Sequence, residues 1–389
     1  MIGRFAHSSE TGAVVQIKPQ LYDVKLRPGQ PLKFNFSFQG AKNYPVDLYI
    51  LLDVSLTMKN IKKSLASDSE NIYKTMQSMT EKVNIGFGTF IDKNTQPYTL
   101  DVITKEAYSF RHRLNLTSNY KAFETVVSRT NFSYNYDSPE SGFDALAQVM
   151  ACDVGWRRKS RKIIVLLTDS SHHTVGDGRS AGIFQPYDGK CYTNKEGIYT
   201  KELEMDYPSV TTLNRLAIEK GVIIIFTIKK KDNDYERKKL KEIYETLKEA
   251  IRGSKTALLS NDDITEPLRE SYKEISTNIK LDVVVRSGQR NNFQIKFHPD
   301  CTKKDHGDDC KVETGERRDF TGTITLTEYY GKDTELIDIS VQGMTEKLTL
   351  NVEVIKCACE EDEENKADNL KYCSGQKLQC GVCICGESR

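Results

Sequence analysis

Leu48-Tyr49-Ile50-Leu51-Leu52 is a continuous apolar run that stops at Asp53. A run this short, rich in Leu and Ile and bounded by polar residues, fits a strand covered on both faces, as in a parallel sheet with helices on either side. Ser55 and Thr57 follow Asp53 at every second position, so one carboxylate and two hydroxyls share a tight loop at the strand's carboxyl end. In open α/β sheets, ligands bind there. Carboxylate and hydroxyl oxygens are hard donors, suited to Mg²⁺, Mn²⁺ or Ca²⁺ and poorly suited to Zn²⁺ or Cu²⁺. One charge is too little for a closed cage, so the loop calls for acidic partners from elsewhere. An Asp-Ser turn that merely caps the next helix would read the same way in so short a motif.

The pattern repeats downstream. Asn84 to Ile91 is a second strand-like run and ends at Asp92; Arg161 to Thr168 contains a third and ends at Asp169. Between the first two, Met58, Ile61, Leu65, Ile72, Met76, Met79 and Val83 fall at intervals of three, four and seven, which predicts one helical stripe. The methionines in it read as core filler. Gly86-x-Gly88 lies inside the second run without a phosphate-loop lysine and reads as close packing. Residues 93–135 show no period and are expected to be a long excursion over the sheet. Phe143, Leu146, Ala147 and Met150 mark a short helix, and Val210, Leu213, Leu216 and Ala217 one closed by Gly221. The run from Val222 to Ile228 follows directly. Leu240, Ile243, Leu247 and Ile251 mark a further helix, and Leu268, Tyr272, Ile275 and Ile279 the last. Strands alternating with helices over about 230 residues give a doubly wound, Rossmann-type parallel sheet.

Alternating segments flank this region on both sides. Residues 14 to 42 hold two, with Arg27-Pro28-Gly29-Gln30-Pro31 as a turn between strands of an antiparallel sheet. Leu281 to Val285, Phe293 to Phe297, Thr321 to Leu326 and Leu348 to Val354 resume the pattern. The economical account is one β-sandwich, split in sequence by an inserted α/β domain.

Lysine plus arginine (56) nearly equals aspartate plus glutamate (55), so nothing points to nucleic acid or an anionic membrane surface. No apolar run reaches the roughly 18 to 20 residues of a membrane span, and MIGRFAHSSE lacks the apolar segment of a signal peptide. Those two facts alone suggest a soluble cytosolic protein, but the cysteines argue otherwise. Six of the ten crowd between Cys357 and Cys385, as in a disulfide-stapled extracellular module. Zinc is the alternative for Cys380-x-x-Cys383-x-Cys385, though that segment holds no histidine. Sequons at Asn35, Asn115 and Asn131 agree with secretion and glycosylation. The expectation is a piece of a larger secreted or surface protein.

Three acids at strand ends, Asp53, Asp92 and Asp169, are joined by a fourth cluster, Asn135-Tyr-Asp137-Ser-Pro139-Glu140. With YPVDLYILLD, IGFGTFIDK, LLTDS, DGR-x-AGI-x-QP-x-DGKC, MDYPS and CGVCICG in this order, the chain from about residue 14 onward resembles the β subunit of integrins. The resemblance implies an immunoglobulin-like hybrid domain in two pieces (14–42 and 279–356), an inserted von Willebrand factor A-like domain (43–278) and a first, truncated EGF-like module (357–389). It also implies a Mg²⁺ (or Mn²⁺) bound by Asp53, Ser55, Thr57 and Glu140 with Asp169 close by, completed by an Asp or Glu of a protein ligand. A Ca²⁺ would lie beside it on Asp92, Asn135, Asp137, the Pro139 carbonyl and Glu140. The implied disulfides are Cys152–Cys191, Cys301–Cys310, Cys359–Cys380 and Cys373–Cys383. The implied partners are an integrin α subunit, in a heterodimer, and an extracellular matrix or cell-surface ligand. The implied location is the cell surface, with any membrane attachment outside this stretch, and the last helix is expected to couple ligand binding to the interdomain angle.

Departures from the family pattern are specific. Asn60 and Ile61 stand where the family usually has two acids that help build a third cation site, leaving Asn60 one neutral oxygen to offer. No cysteine lies between Asp53 and Ala151, where a small disulfide is usual. Asp144, Asp177 and Asp188 read as capping or solvated carboxylates, and His172 and His173 as polar loop residues, since neutral imidazole is a poor Mg²⁺ ligand. A stand-alone A-domain adhesin or secreted metal-dependent binding protein is the competing function. An enzyme is disfavoured, because no nucleophile–base pair and no phosphate-binding loop accompany the acids.

Overall fold

The computed structural model describes residues 15–41, 43–99, 107–259, 261–302, 310–355, 377–379 and 382–384. Its centre is the predicted apolar strand, β4 (Val46–Asp53), buried along its whole length. Side chains alternate across a strand, and β4 divides accordingly. Val46, Leu48, Ile50 and Leu52 enter one core with Ile61, Leu65, Ile72, Phe123 and Leu268. Tyr49 and Leu51 enter a second with Phe143, Leu146, Leu213 and Leu247. Both faces are covered by helices, which is why the run carries no polar residue between Leu48 and Leu52.

Chain order past β4 is α1 (Lys59–Ser67), α2 (Ser69–Met79), β5 (Val83–Phe90), β6 (Arg111–Thr117), α3 (Tyr120–Arg129), α4 (Gly142–Ala151) and β7 (Arg161–Thr168). There follow α5 (Val210–Lys220), β8 (Val222–Lys229), α6 (Asp234–Ala250), β9 (Lys255–Leu259) and α7 (Thr265–Thr277). The six strands order as β6-β5-β4-β7-β8-β9. All neighbours are parallel except β5 and β6. The chain leaves β4 toward β5 on one side and later returns to β7 on the other. A crevice therefore opens at the carboxyl ends of the central strands.

Several expectations need correction. The region 93–135 is not a bare excursion, since it supplies edge strand β6 and helix α3. The pairing of β6 with β5 slips register between Ile85 and Gly88, which blurs the alternation a sequence would show. The predicted single stripe from Met58 to Val83 is two helices. The Ser69 hydroxyl bonds back to the Leu65 and Ala66 carbonyls at the break, and Val83 already belongs to β5. Ile279 lies beyond the end of α7. The glycine readings hold. A Cβ on Gly86 or Gly88 would lie 2.8 or 2.6 Å from the Tyr49 side chain. Gly221 ends α5 at φ 63°, in the left-handed region that glycine favours.

Two four-stranded sheets flank the α/β unit in sequence. Strands β1 (Ile17–Lys18), β3 (Leu32–Gln39), β11 (Phe293–His298) and β12 (Arg317–Leu326) form one, ordered β1-β3-β12-β11. The other orders as β10-β13-β14-β2, from β2 (Leu21–Leu26), β10 (Leu281–Val285), β13 (Thr334–Val341) and β14 (Lys347–Val354). Phe34, Phe36, Phe297 and Ile324 of the first share one core with Val24, Ile337, Leu350 and Val352 of the second. The turn at Arg27 to Pro31 thus passes between sheets instead of closing a hairpin, and β2 runs parallel to β14. A short pair, β15 (Lys377–Gln379) with β16 (Val382–Ile384), stands at the carboxyl end.

Cys152–Cys191 and Cys301–Cys310 are bonded as expected. Cys359–Cys380 and Cys373–Cys383 fall outside the residues whose side chains are described. Among the described residues no helix is long and apolar enough to cross a membrane.

Candidate metal centre

Parallel register fixes the site. Asp53 pairs with Phe90 and Leu52 with Leu167, so Asp53, Asp92 and Asp169 emerge at the same end of three adjacent strands. Asp53 is fully buried, its Oδ1 accepting from the Ser55 N–H at 2.8 Å and its Oδ2 from the Thr168 hydroxyl at 2.8 Å. Ser55 Oγ lies 3.0 Å from Thr57 Oγ1, which donates to Asp169 Oδ1 at 3.1 Å. Thus the D-x-S-x-T spacing yields a contiguous array of hard oxygens, with Asp169 drawn in from the neighbouring strand. Ser55 caps the short turn that follows without a side-chain hydrogen bond, so its hydroxyl is not spent on capping.

Glu140 enters from the loop before α4, where its backbone N–H bonds the Ser171 carbonyl at 3.0 Å and its carbonyl accepts the His173 N–H at 2.9 Å. Its carboxylate accepts from Asn135 Nδ2 at 3.0 Å. Burial pushes the Glu140 carboxyl well above its usual range, and the charges of Asp53, Asp92 and Asp137 push it further. Asp53 is raised to about 6, again chiefly by burial, with Asp169 adding repulsion. Buried carboxylates that repel one another this way are charge-deficient in cations. The oxygen-only donors around Asp53 fit Mg²⁺ or Mn²⁺. Among the described residues, Lys231 pairs with Asp169, its Nζ 3.5 Å from Oδ2.

Beside this array, Asp92 is buried and pushed upward chiefly by burial; its Oδ1 accepts from the Tyr207 hydroxyl at 2.5 Å. Asp137 joins it, and so does a residue assigned a mere polar loop role. His173 Nε2 lies 2.9 Å from Asp137 and 3.2 Å from Asp92, and Nδ1 lies 3.2 Å from Asp177. Burial opposes charge on this imidazole, but hydrogen bonds and attraction from Asp137 and Asp92 outweigh it and raise the ring to about 10. Among the described residues, Asp92, Asp137 and His173 form a group whose potential ligand atoms all lie within 4.8 Å of one another. That set does not fit an all-oxygen Ca²⁺ site as it stands, because Ca²⁺ takes oxygen ligands and an imidazolium already lies between the carboxylates. Asn135 contacts Glu140 as described; Pro139 sits half-buried on the same loop. His172 stays out of both clusters, stacked on Phe143 at 4.0 Å and lowered to about 4 by burial.

Asp144 is neither capping nor solvated. It is buried and pairs with the equally buried Lys93 at 2.7 Å. Lys93 also donates to the Glu202 and Met205 carbonyls at 2.9 and 3.0 Å, so it pins the segment that carries Tyr207 against Asp92. Nothing in the local sequence marks this pair, since an inward acid on the first turn of a helix looks like a cap. Asp177 does accept the Thr174 N–H, and Asp188 the Lys190 N–H, as capping residues do. Ile61 is fully buried among the core residues, while Asn60 is exposed. Asn35, Asn115 and Asn131 are all exposed.

Residues 41–279 match the family model for the integrin beta chain VWA domain. Integrin beta pat-3 of Caenorhabditis elegans is 34% identical over 392 residues, which take in 95% of this chain and 47% of that protein. Integrin beta-7 of Mus musculus is 33% identical over 402 residues, covering 96% and 48%. The chain thus spans about half the length of the curated relatives it matches. Among solved structures, the pilus adhesin SpaC of Lactobacillus rhamnosus GG aligns over 84% of this chain and 45% of its own, at 13% identity and a TM-score of 0.38, a likeness too weak to argue from.

Proposed function

This chain belongs to the integrin β family, and from that premise we propose that it is the ligand-binding part of a cell-adhesion receptor subunit. It works at the cell surface, paired with an α subunit, and captures an extracellular protein through an exposed Asp or Glu of that ligand. Asp53, Ser55, Thr57 and Glu140 would hold a Mg²⁺, with Asp169 beside them. The metal supplies an exchangeable coordination position for the ligand carboxylate. Asp92, Asn135, Asp137, Pro139 and Glu140 would hold a Ca²⁺ once His173 leaves the carboxylates.

The observation that carries this reading is the gathering of buried acids, Asp53, Asp92, Glu140 and Asp169, at the crevice, where burial first and then the charges of Asp53, Asp92 and Asp137 push the Glu140 carboxyl upward. A folded protein does not keep such a set charged without cations. The domain reading follows the family: residues 43–278 as the von Willebrand factor A-like domain, 14–42 with 279–356 as an immunoglobulin-like hybrid domain, and 357–389 as an EGF-like module. Helix α7 is the coupling element, since only three residues separate its end at Thr277 from β10 at Leu281. A shift of α7 would therefore be passed to the sheets.

The test is capture of extracellular matrix proteins by the receptor parent co-expressed with α subunits. Capture should need Mg²⁺ or Mn²⁺, and Asp53→Ala should abolish it while leaving the complex assembled. Capture that persists in EDTA, or in the variant, refutes the metal bridge.

A further inference from the structure

At the other end of the sheet from the acids, where β7 begins, Arg161 is 6% exposed, and its Nε and Nη1 are buried with no hydrogen-bond partner. Among the described residues no carboxylate lies within ion-pair distance of it. Its guanidinium carbon lies over the face of Tyr272, 5.7 Å from the ring centroid. An arginine cannot shed its proton to escape burial, and a buried charge without a counter-charge is strongly disfavoured. Glu346 shares Tyr44 with it as an electrostatic neighbour, yet Glu346 does not close on Arg161. One Glu346 oxygen accepts the Gln16 N–H at 2.7 Å, and the other has no partner. Gln16 Nε2 is buried and unpartnered as well. So many orphaned polar atoms in one place are rare in a folded protein.

Arg161 lines a cavity of about 330 Å³ between the α/β unit and the first sandwich segment. Gln16 and Ala41 form one wall, Met79 another, and Tyr272 and Ser276 of α7 a third. Arg269 and Lys273 of α7 also line it, and among the described residues none of its walls is acidic. Lys273 has no ion pair among the described residues, and Arg269 pairs only with Glu266, outside the cavity. At about 30 Å³ per water, the space holds roughly ten waters or a solute of one aromatic ring with a charged group.

We propose that this cavity binds a small organic anion. Its carboxylate, sulfate or phosphate head sits on Arg161, with Arg269 and Lys273 at the rim, and its apolar body lies against Tyr272 and Met79. A guanidinium offers paired donors to any of the three heads. Neither the strand-end acids nor a divalent cation is involved.

The probes are phenyl phosphate, benzoate, inorganic phosphate and neutral benzyl alcohol, titrated calorimetrically into the full chain in EDTA. We expect phenyl phosphate and benzoate to bind at one site, with the preferred head given by their ratio. Inorganic phosphate should bind about tenfold or more weaker for lack of a body, and benzyl alcohol not at all. Arg161→Met, an apolar replacement of similar length, should fold and lose phenyl phosphate binding by about a hundredfold, the scale of a charge-assisted bond in a buried site. Should that variant not fold, the exposed double change Arg269→Ala with Lys273→Ala decides, with a several-fold loss expected. Unaltered binding in whichever variant decides, or no anion binding at all because Glu346 closes on Arg161 in solution, overturns the proposal.

Discussion

Asp53→Asn should stabilise the metal-free protein and destroy its response to Mg²⁺. Burial, the largest cause, raises the Asp53 carboxyl from 3.8 to about 6. That is about two units, and at 1.36 kcal/mol each the ionised form costs roughly 3 kcal/mol of folding free energy. Asparagine keeps the acceptor for the Ser55 N–H but must reorient its bond to Thr168, a loss of about 1 kcal/mol. The net expected gain is about 2 kcal/mol in EDTA near pH 7.5. The sign follows from the raised folded value. Below about pH 3.8 the carboxyl is protonated in both states and there is no penalty; it grows as pH rises and is complete above about 6. Wild-type stability in EDTA should therefore fall across that window relative to the variant, and in acid, with the penalty gone, the variant should be the less stable by the roughly 1 kcal/mol of its altered bond to Thr168. Trp156 is the single tryptophan and packs 6.1 Å from Tyr49 of the central strand, so its fluorescence in urea reports the α/β unit alone. Mg²⁺ should raise the wild-type midpoint and leave the variant's unmoved. A variant less stable than wild type in EDTA near pH 7.5 would show that Asp53 is not held ionised at a cost, and the argument for cations at the crevice would fail.

Four further outcomes are expected. Gly88→Ala brings a Cβ to 2.6 Å from Tyr49 Oη and 3.0 Å from Phe110, both buried, and should cost about 1–3 kcal/mol or more in the same urea assay. Cysteines 152 and 191 are 39 residues apart, so Cys191→Ser should lower stability by roughly 4 kcal/mol; a non-reducing peptide map should recover that pair and Cys301–Cys310, and free thiols at either would contradict the fold. Calorimetry should count two divalent cations, not three, because Ile61 offers no oxygen. His173→Ala should strengthen Ca²⁺ binding about tenfold or more by removing a competing charged hydrogen bond worth about 1.5–3 kcal/mol, and weaker binding would make His173 a ligand instead.

What the sequence revealed depended on how one-sided the environment is. Strands β4, β5, β7 and β8 are buried on both faces, so their central residues are mostly apolar, with polar residues chiefly toward the ends, and the runs could be read directly. Edge strand β6 is half-exposed and slips register against β5, and β9 is five residues of mixed burial. Neither leaves a period to read. Two strands were read in residues 14 to 42 where the structure has three; β2 was passed over, and its parallel pairing with β14 is set by residues more than 320 positions away. Both described disulfides came from family resemblance; cysteine spacing alone allowed many pairings.

The site divides along the same line. Asp53, Ser55 and Thr57 are joined by local geometry, and Asp92 and Asp169 by parallel register, so a sequence that shows the strands shows these acids. His173 was misjudged because the question asked of it was whether imidazole suits Mg²⁺, and it does not. Its place is decided by Tyr98 and Tyr207, whose rings lie 4.8 and 4.7 Å from it and hold it between Asp92 and Asp137. Tyr207 is itself held by the segment that Lys93 pins through the Glu202 and Met205 carbonyls. Lys93 directly follows Asp92 and pairs with Asp144, so one buried ion pair positions both a carboxylate and the ring that steers its competitor. Breaking one partner of such a pair costs about 3–5 kcal/mol, because the other is left buried and charged. Occupancy of the proposed Ca²⁺ site would therefore be tied to an ion pair that supplies no metal ligand. A reading confined to ligand types would pass over it.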